Sequence, residues 1–150
     1  MRPARGFSLI EILLVVVLIT AVTAMAAYAM NSGMPGAQLR GAARELAAQL
    51  RFTRAQAIAT GTAQVFTLDA RSREWTAPQQ RHGALPREID VVATGARVEQ
   101  QHPDQVAIRF FPEGAATGGR FLLKRGDAAW QVDVEWLTGQ VTLQRAAARP

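Results

Sequence analysis

The chain has 150 residues, of which 49% are hydrophobic and 19% are charged, and it contains no cysteine and only two histidines. The absence of cysteine excludes disulfides and thiol chemistry, and a formal charge of +5 is a weak signal for nucleic-acid binding. About 110 residues follow an apolar N-terminal segment, which is enough for one modest folded core.

An apolar run over residues 7–30 predicts a membrane-spanning helix. At about 1.5 Å per residue it would be about 36 Å long, which exceeds a hydrocarbon thickness of about 30 Å. Arg2 and Arg5 precede the run, and the positive-inside tendency therefore predicts a cytoplasmic N-terminus. Gly6 also lies before the run, whereas a secretory signal peptide has its small residues after it. The run contains one acid, Glu11. A carboxylate in a membrane helix is costly and therefore indicates a functional residue. The alternative is that Glu11 lies near the interface and reaches the headgroups.

Residues 31–37 contain two glycines and Pro35, which predict a hinge or a break in the helix. Residues 38–60 have apolar side chains at helical spacing, which predicts an amphipathic helix that packs on a sheet and stops at Gly61. A second stripe of this helix consists of Arg40, Arg44, Arg51 and Arg54. The stripe is explained either as a solvated helix face or as a contact surface for acidic groups of a neighbouring subunit.

Short runs typical of β-strands begin after Thr62. Strands are predicted at residues 63–69, 73–77, 88–92, 97–101, 106–111, 120–125, 129–136 and 140–144, the first two as a hairpin. Residues 78–86 and 112–119 are predicted as loops, and the tail after Gln144 as loose. Alternation over residues 129–136 predicts four core-facing side chains, namely Trp130, Val132, Val134 and Trp136. The predicted fold is α+β, a long N-terminal helix with an antiparallel β domain over residues 62–145.

The N-terminal segment RGFSLIEILLVVV resembles the class III signal of type IV pilins and type II secretion pseudopilins. This resemblance implies a leader of residues 1–6, cut by the prepilin peptidase between Gly6 and Phe7, with N-methylation of Phe7. Loss of Arg2 and Arg5 with the leader lowers the formal charge to +3. The resemblance also implies that Glu11 meets the N-terminal ammonium of a neighbouring subunit. Opposite charges in a low-dielectric environment attract strongly, so such a pair could set the register between helices.

Two C-terminal segments resemble the GspH/FimT-type pseudopilins in particular. They are FFPEGAATGGRFLL, residues 110–123, and VDVEWLTGQV, residues 132–141, and the helix end RFTRAQAIATG, residues 51–61, is similar to theirs. The resemblance implies a type IV pilin-like fold and a structural subunit without enzymatic activity or cofactor. It implies a minor pseudopilin that is tip-proximal in a periplasmic pseudopilus, where it helps export folded proteins across the outer membrane.

The same resemblance implies the cellular location and the partners of the protein. The protein would be a single-pass component of the bacterial inner membrane, with a cytoplasmic N-terminus and the domain of residues 38–150 in the periplasm. Its partners would be the prepilin peptidase and other minor and major pseudopilins, with secreted substrate or the secretin as further candidates. The sequence assigns no cofactor and no metal site.

The sequence leaves two other functions open. Some FimT-type minor pilins of type IV pili bind DNA for uptake, and the basic candidates here are Arg120, Lys124, Arg125, Arg145 and Arg149. Gln140 stands where such pilins often have arginine, which makes DNA an unfavoured partner. An enzyme is the weaker alternative, because His82 and His102 are far apart and no nucleophile elbow or phosphate-binding loop occurs. Asp104 and Glu113 form no carboxylate cluster with metal-ligand spacing.

Overall fold

The computed structural model describes residues 9–95 and 105–147, with the backbone alone for residues 28–35 and 147. Helix α1 spans Leu9–Thr60. The strands that follow it are β1 Gln64–Asp69, β2 Glu74–Ala77, β3 Arg81–Ala84, β4 Asp90–Gly95, β5 Gln105–Phe110, β6 Gly119–Arg125, β7 Ala128–Val134 and β8 Val141–Ala147. The chain divides into two compact units, Met1–Pro35 and Gly36–Pro150, which we call the N-terminal unit and the head. The predicted α+β class is confirmed.

The N-terminal unit contains the predicted apolar helix. Its segment Leu9–Ala27 is 19 residues long and apolar enough to cross a bilayer, and none of its side chains is buried by the rest of the chain. The hydroxyls of Thr20 and Thr23 donate hydrogen bonds of 2.7 Å to carbonyls four residues earlier. These polar groups are therefore satisfied within the helix, as a lipid environment requires. The predicted leader, residues 1–6, and Phe7 lie outside the described residues.

Residues 31–37, where the sequence predicts a hinge or a break, have helical backbone. The expectation of a break is therefore wrong for the secondary structure. Proline within a helix costs about 3 kcal/mol, but helix propagation is cooperative and long helical runs flank this position on both sides. The two compact units divide between Pro35 and Gly36, and the hinge itself stays a prediction.

The core of the head forms where the predicted apolar stripe of α1 packs against the strands. The stripe is confirmed, since its side chains are fully buried; they are Leu39, Ala43, Leu46, Leu50, Thr53 and Ala57. The same core includes Phe66 of β1, Ile108 of β5, Phe121 of β6 and Val132 of β7. Burying each such large apolar side chain contributes about 1.5–3 kcal/mol, so the helix and both sheets depend on one shared core.

Both sheets are four-stranded and antiparallel. Sheet 1 has the order β3–β2–β1–β5, and sheet 2 has the order β4–β6–β7–β8. The predicted first hairpin is confirmed, with Leu68 of β1 opposite Trp75 of β2. The Asp69 carboxylate closes its turn by accepting hydrogen bonds of 2.8 Å from the backbone N–H groups of Arg71 and Ser72. The hydrogen bond from the Ser72 backbone is the main cause that lowers the pKa of Asp69.

The structure differs from the sequence pattern at three strands. Residues 81–84 form β3 and pair with β2, although the sequence predicts a loop there, because backbone pairing can hold a short edge strand that has no alternating pattern. Strand β4 extends to Gly95, and β8 extends through Arg145 into the segment predicted to be loose. The predicted strand at residues 97–101 lies outside the described residues, as do His102, Asp104 and Arg149.

The prediction that Trp136 belongs to the core is wrong. Val132 and Val134 are buried and Trp130 is half-buried, but Trp136 is 67% exposed. Strand β7 ends at Val134, and the chain then turns, with the Gly139 N–H donating to the Glu135 carbonyl at 2.9 Å. The alternation of side chains holds only while the backbone stays extended, so it does not continue into this turn.

The two tryptophans Trp75 and Trp136 provide a matched pair of substitutions for the core. Trp75 is 3% exposed, so we expect Trp75→Ala to lower the free energy of unfolding by about 3–5 kcal/mol. Trp136→Ala should lower it by less than about 1 kcal/mol, because the ring is already in solvent. Urea unfolding of the purified chain in detergent measures both values. Equal losses would contradict the surface position of Trp136.

Candidate functional site

The arginine stripe of α1 divides into two pairs with different surroundings. Arg54 is half-buried, and its Nε donates hydrogen bonds to the carbonyls of Gly114 at 3.0 Å and Thr138 at 3.1 Å. Arg51 donates from its guanidinium to the carbonyl of Val141 at 3.0 Å. Both side chains thus tie the helix to the turn between β7 and β8. Their predicted contact with a neighbouring subunit stays a prediction, and they have partners within the head as well.

The loops held by Arg54 approach each other through two glycines. Gly114 and Gly139 have φ values of +91° and +62°, a region that favours glycine. A Cβ at Gly139 would collide with the Gly114 carbonyl oxygen and would lie 3.0 Å from Arg54 Nε. The close approach therefore requires glycine at position 139. Three segments that carry the sequence resemblance, residues 51–61, 110–123 and 132–141, meet at this one junction.

The second pair of the stripe, Arg40 and Arg44, has different surroundings from the first. The Arg40 guanidinium carbon lies 5.8 Å from the centroid of the Trp130 ring, within cation–π range. Arg44 is exposed, and its guanidinium has no ion pair among the side chains that the structure describes. These two arginines are exposed, and neither donates a hydrogen bond to the turn between β7 and β8, in contrast to Arg51 and Arg54.

The basic residues considered for DNA are dispersed by the register of sheet 2. The side chain of Arg120 forms an ion pair with Asp133 at 2.6 Å, and Arg125 donates a hydrogen bond to Gln38. Arg145 is aligned with Trp130 across β7 and β8, whereas Arg120 is aligned with Asp133, so they lie on opposite faces of the sheet. A phosphate backbone needs several cations on one surface, and this arrangement separates them.

The exposed Trp136 lines a surface groove that the sequence reasoning missed. The groove has a volume of about 630 Å³, and its wall includes Thr94, Arg120, Asp133 and Thr142 on the outer side of sheet 2. Leu137 is also exposed, at 62%, and it follows Trp136 in the turn. A tryptophan two residues before the Thr-Gly turn was the available signal, since a side chain at a turn need not follow the strand alternation.

In the N-terminal unit, Glu11 lies in the first turn of α1 as described and is exposed. It is the single acidic residue of the segment Leu9–Ala27. Within residues 9–95 and 105–147 its carboxylate has no ion pair, and no group of three or more His, Asp or Glu side chains is placed to hold a metal ion. Gly6 and Phe7, the predicted cleavage and methylation positions, lie outside these ranges.

Comparison of the sequence with protein families gives two matches. Residues 42–139 match the family described as Type II transport protein GspH, and residues 1–27 match the prokaryotic N-terminal methylation motif. The chain is 52% identical over 140 residues to the Type II secretion system protein H of Xanthomonas campestris pv. campestris. That alignment covers 93% of this chain and 83% of the relative.

Two solved structures have a similar fold. The minor pseudopilin EpsH from the type 2 secretion system of Vibrio cholerae has a TM-score of 0.55 at 14% identity, over 73% of this chain and 97% of that chain. The type IV minor pilin FimU of Pseudomonas aeruginosa has a TM-score of 0.55 at 14% identity, over 70% of this chain and 91% of that chain. The structural likeness establishes the pilin-like fold alone. The family match and the 52% relative favour the secretion pseudopilins over the type IV pilin alternative.

Substitutions at Gly126 and Gly139, which both have left-handed backbone, distinguish the stability cost of that conformation from the cost of the steric clash at the Arg54 junction. Gly126→Ala should cost about 1 kcal/mol, because its φ is +54° and a Cβ there would meet open space. Gly139→Ala has a similar φ but also collides with Gly114, so we expect it to cost about 2 kcal/mol more. Urea unfolding of both variants gives the comparison. Equal values would show that the contact at Gly139 does not constrain the head.

Proposed function

We propose a tip-proximal place in the periplasmic pseudopilus for this chain, which belongs to the GspH family and is a minor pseudopilin of the type II secretion system. In this position it would help to export folded proteins across the outer membrane. The observation that carries the proposal is an apolar helix, Leu9–Ala27, that is exposed throughout and contains one acid. Such a surface needs either lipid or other helices to cover it.

The apolar helix anchors the chain in a membrane, and we propose the bacterial inner membrane. Arg2 and Arg5 would keep the N-terminus cytoplasmic, so the head would lie in the periplasm. During assembly the helix would leave lipid and pack against the helices of other pseudopilins. Both states cover the same apolar surface, which allows exchange between them without exposing it to water.

Glu11 is proposed to fix the position of each subunit in the assembly. After cleavage the ammonium of Phe7 would be four residues, about 6 Å along a helix, from Glu11 of the same chain. Pairing instead with the ammonium of an adjacent chain sets an axial offset between the two helices. An unpaired charge in this environment costs at least a few kcal/mol, so the paired register is strongly preferred.

The head is proposed to contact other pseudopilins, with Arg40 and Arg44 in the contact surface. Both side chains are exposed and do not hold the turn between β7 and β8, as Arg51 and Arg54 do. The chain would act as a structural subunit, and we assign it no catalytic step and no cofactor. Its processing partner would be the prepilin peptidase, which the N-terminal methylation motif implies. Secreted substrate and the secretin are further proposed partners.

Neutralising Glu11 tests the assembly role. We expect Glu11→Gln to reduce incorporation into pseudopili by about tenfold or more, because an amide cannot replace the ion pair. The unfolding of the head should be unchanged. Glu45→Gln is the matched control, since Glu45 is an exposed acid on the head part of α1. Incorporation is measured by co-purification with sheared pseudopili. Wild-type incorporation of Glu11→Gln would contradict the role.

The proposed cleavage site gives a second test in the cell. Gly6→Leu should abolish maturation, because the resemblance implies a peptidase that requires a small residue before the cut. Ala4→Leu places the same bulk two residues earlier and should leave maturation intact. Mass spectrometry of the N-terminal peptide distinguishes the full leader from N-methylated Phe7. Finding methylated Phe7 in the Gly6→Leu variant would refute the assigned site.

A further inference from the structure

The strand β8 forms an edge of sheet 2, and no strand within residues 9–95 and 105–147 pairs with its outer side. The sheet order β4–β6–β7–β8 leaves β8 with one neighbour, and this strand has seven residues, Val141–Ala147. The edge strand β3 of sheet 1 has only four residues. Long edges with free backbone groups are templates for pairing with another chain, and proteins usually shorten or cover them.

The hydrogen bonds around the β7–β8 turn determine which backbone groups point outwards. The Glu135 N–H donates to the Gln140 carbonyl at 3.0 Å, so the even-numbered positions of β8 face β7. The Val141 carbonyl instead accepts from Arg51, as expected for a group that points out of the sheet. By the alternation of antiparallel pairing, the N–H and C=O groups of Leu143 and Arg145 also point outwards. Neither residue has a further backbone hydrogen bond among the described residues.

Arginines of the helix contact sheet 2 at this edge and one strand further in. Arg51 contacts the start of β8 at Val141, and Arg40 lies over Trp130, which is the cross-strand partner of Arg145. The distance from Arg40 to Arg51 along a helix is about 16 Å, and that from Arg145 to Val141 along a strand is about 14 Å. The helix segment from Arg40 to Arg51 and the strand segment from Arg145 to Val141 therefore have similar lengths, and their chain directions are opposite.

Arg44 lies between Arg40 and Arg51 on the same stripe of α1. Arg44 and Arg145 are both exposed, and neither has an ion pair within residues 9–95 and 105–147. In β8 the side chains of Val141, Leu143 and Arg145 share the face of Trp130, which is the helix side. A strand added at this edge would present every second side chain to a basic surface.

We propose that the outer edge of β8 binds an extended acidic segment of a neighbouring pseudopilin, which adds a fifth strand to sheet 2. Its backbone would pair with the N–H and C=O groups of Leu143 and Arg145. Carboxylates at alternate positions of the added strand would lie against Arg44 and Arg145. These two positive charges would therefore favour an acidic partner. The proposal rests on the proposed function as a subunit of an assembly, and it names the chemistry of one contact.

The charges of β8 and of the helix arginines also disfavour a second copy of this chain as the strand that pairs with the β8 edge. Antiparallel pairing of two β8 strands about Leu143 would place Arg145 of each copy opposite Val141 of the other. The arginine rows of both copies would then flank one interface without acids of β8 to compensate them, because β8 has none. Like charges oppose such pairing, whereas an acidic strand is attracted.

A synthetic peptide in which glutamate and valine alternate is the probe. The full-length chain is purified in detergent, and binding of the labelled peptide is measured by fluorescence anisotropy. Amide hydrogen exchange locates the peptide, and the amides of Leu143 and Arg145 should exchange about tenfold more slowly at saturation. A peptide with lysine in place of glutamate should not bind. Glutamate peptide with N-methylated backbone at every second residue should lose binding, which tests the hydrogen bonds without altering the protein.

Variants of the chain separate charge from backbone pairing. Arg44→Glu should weaken binding by about tenfold, and Arg87→Glu is its control, because Arg87 precedes β4 at the opposite edge of the sheet. Arg145→Ala removes the charge and keeps the N–H. Arg145→Pro removes the N–H as well and leaves the β7–β8 ladder intact, since this N–H points outwards. Binding should therefore decrease from wild type to Arg145→Ala and again to Arg145→Pro.

Several results would overturn the proposal. They are unchanged exchange at Leu143 and Arg145, equal binding of the N-methylated peptide, or equal weakening by Arg44→Glu and Arg87→Glu. Competition by a DNA duplex as strong as that of the peptide would assign a general polyanion surface instead. The outcome is independent of Glu11, because the peptide assay does not require assembly. Peptide binding with normal incorporation of Glu11→Gln would retain the docking edge and reject the assembly role of Glu11.

Discussion

The head depends on the burial of one face of α1 against both sheets. Six positions of the predicted stripe, from Leu39 to Ala57, are inaccessible to solvent, and they share a core with aromatic and branched residues of the strands. The stripe mixes small alanines with leucines, which lets the helix lie close to the sheets while the leucines fill the remaining space. Helix α1 is the single helix within the described residues, so no other helix covers the inner faces of the sheets there.

Once that face is buried, the neighbouring stripe of arginines is brought to the margin of the core. There the guanidinium of Arg54 satisfies two loop carbonyls, and Arg51 satisfies a carbonyl at the start of β8. Loop carbonyls near a core need hydrogen-bond partners, and a long side chain with five donors can reach them from a helix. The two glycines at the junction follow from the same constraint, because a side chain at Gly139 would separate the loops that Arg54 joins.

The surfaces that the chain leaves unsatisfied are of the kinds that an assembly can satisfy. The helix of the N-terminal unit exposes apolar side chains and one carboxylate. In the part of the head that the structure describes, the edge strand β8 lies at the margin of sheet 2, and the exposed Arg44 and Arg145 have no ion pair. The first is suited to lipid or to similar helices, and the second to a specific partner. This separation matches a subunit that is stored in a membrane and then inserted into a filament, as we propose for this member of the GspH family.

Local sequence determined the elements whose signal is periodic or chemically specific. The apolar helix, the buried stripe, the first hairpin and the strands β5 to β8 follow from spacing, and the N-terminal motif with the segments around Gly114 and Gly139 was sufficient to identify the family. These features depend on residues close together in the chain, so periodicity and turn chemistry report them directly.

Tertiary structure alone decided where the chain departs from its own patterns. Strand β3 exists because β2 offers it a backbone to pair with, and Trp136 is exposed because the chain turns immediately after Val134. The division of the arginine stripe into Arg51 and Arg54, which hold loops, and Arg40 and Arg44, which do not, is also invisible in the sequence. Each of these outcomes depends on groups sixty or more residues apart, or on backbone hydrogen bonds that side-chain patterns do not encode.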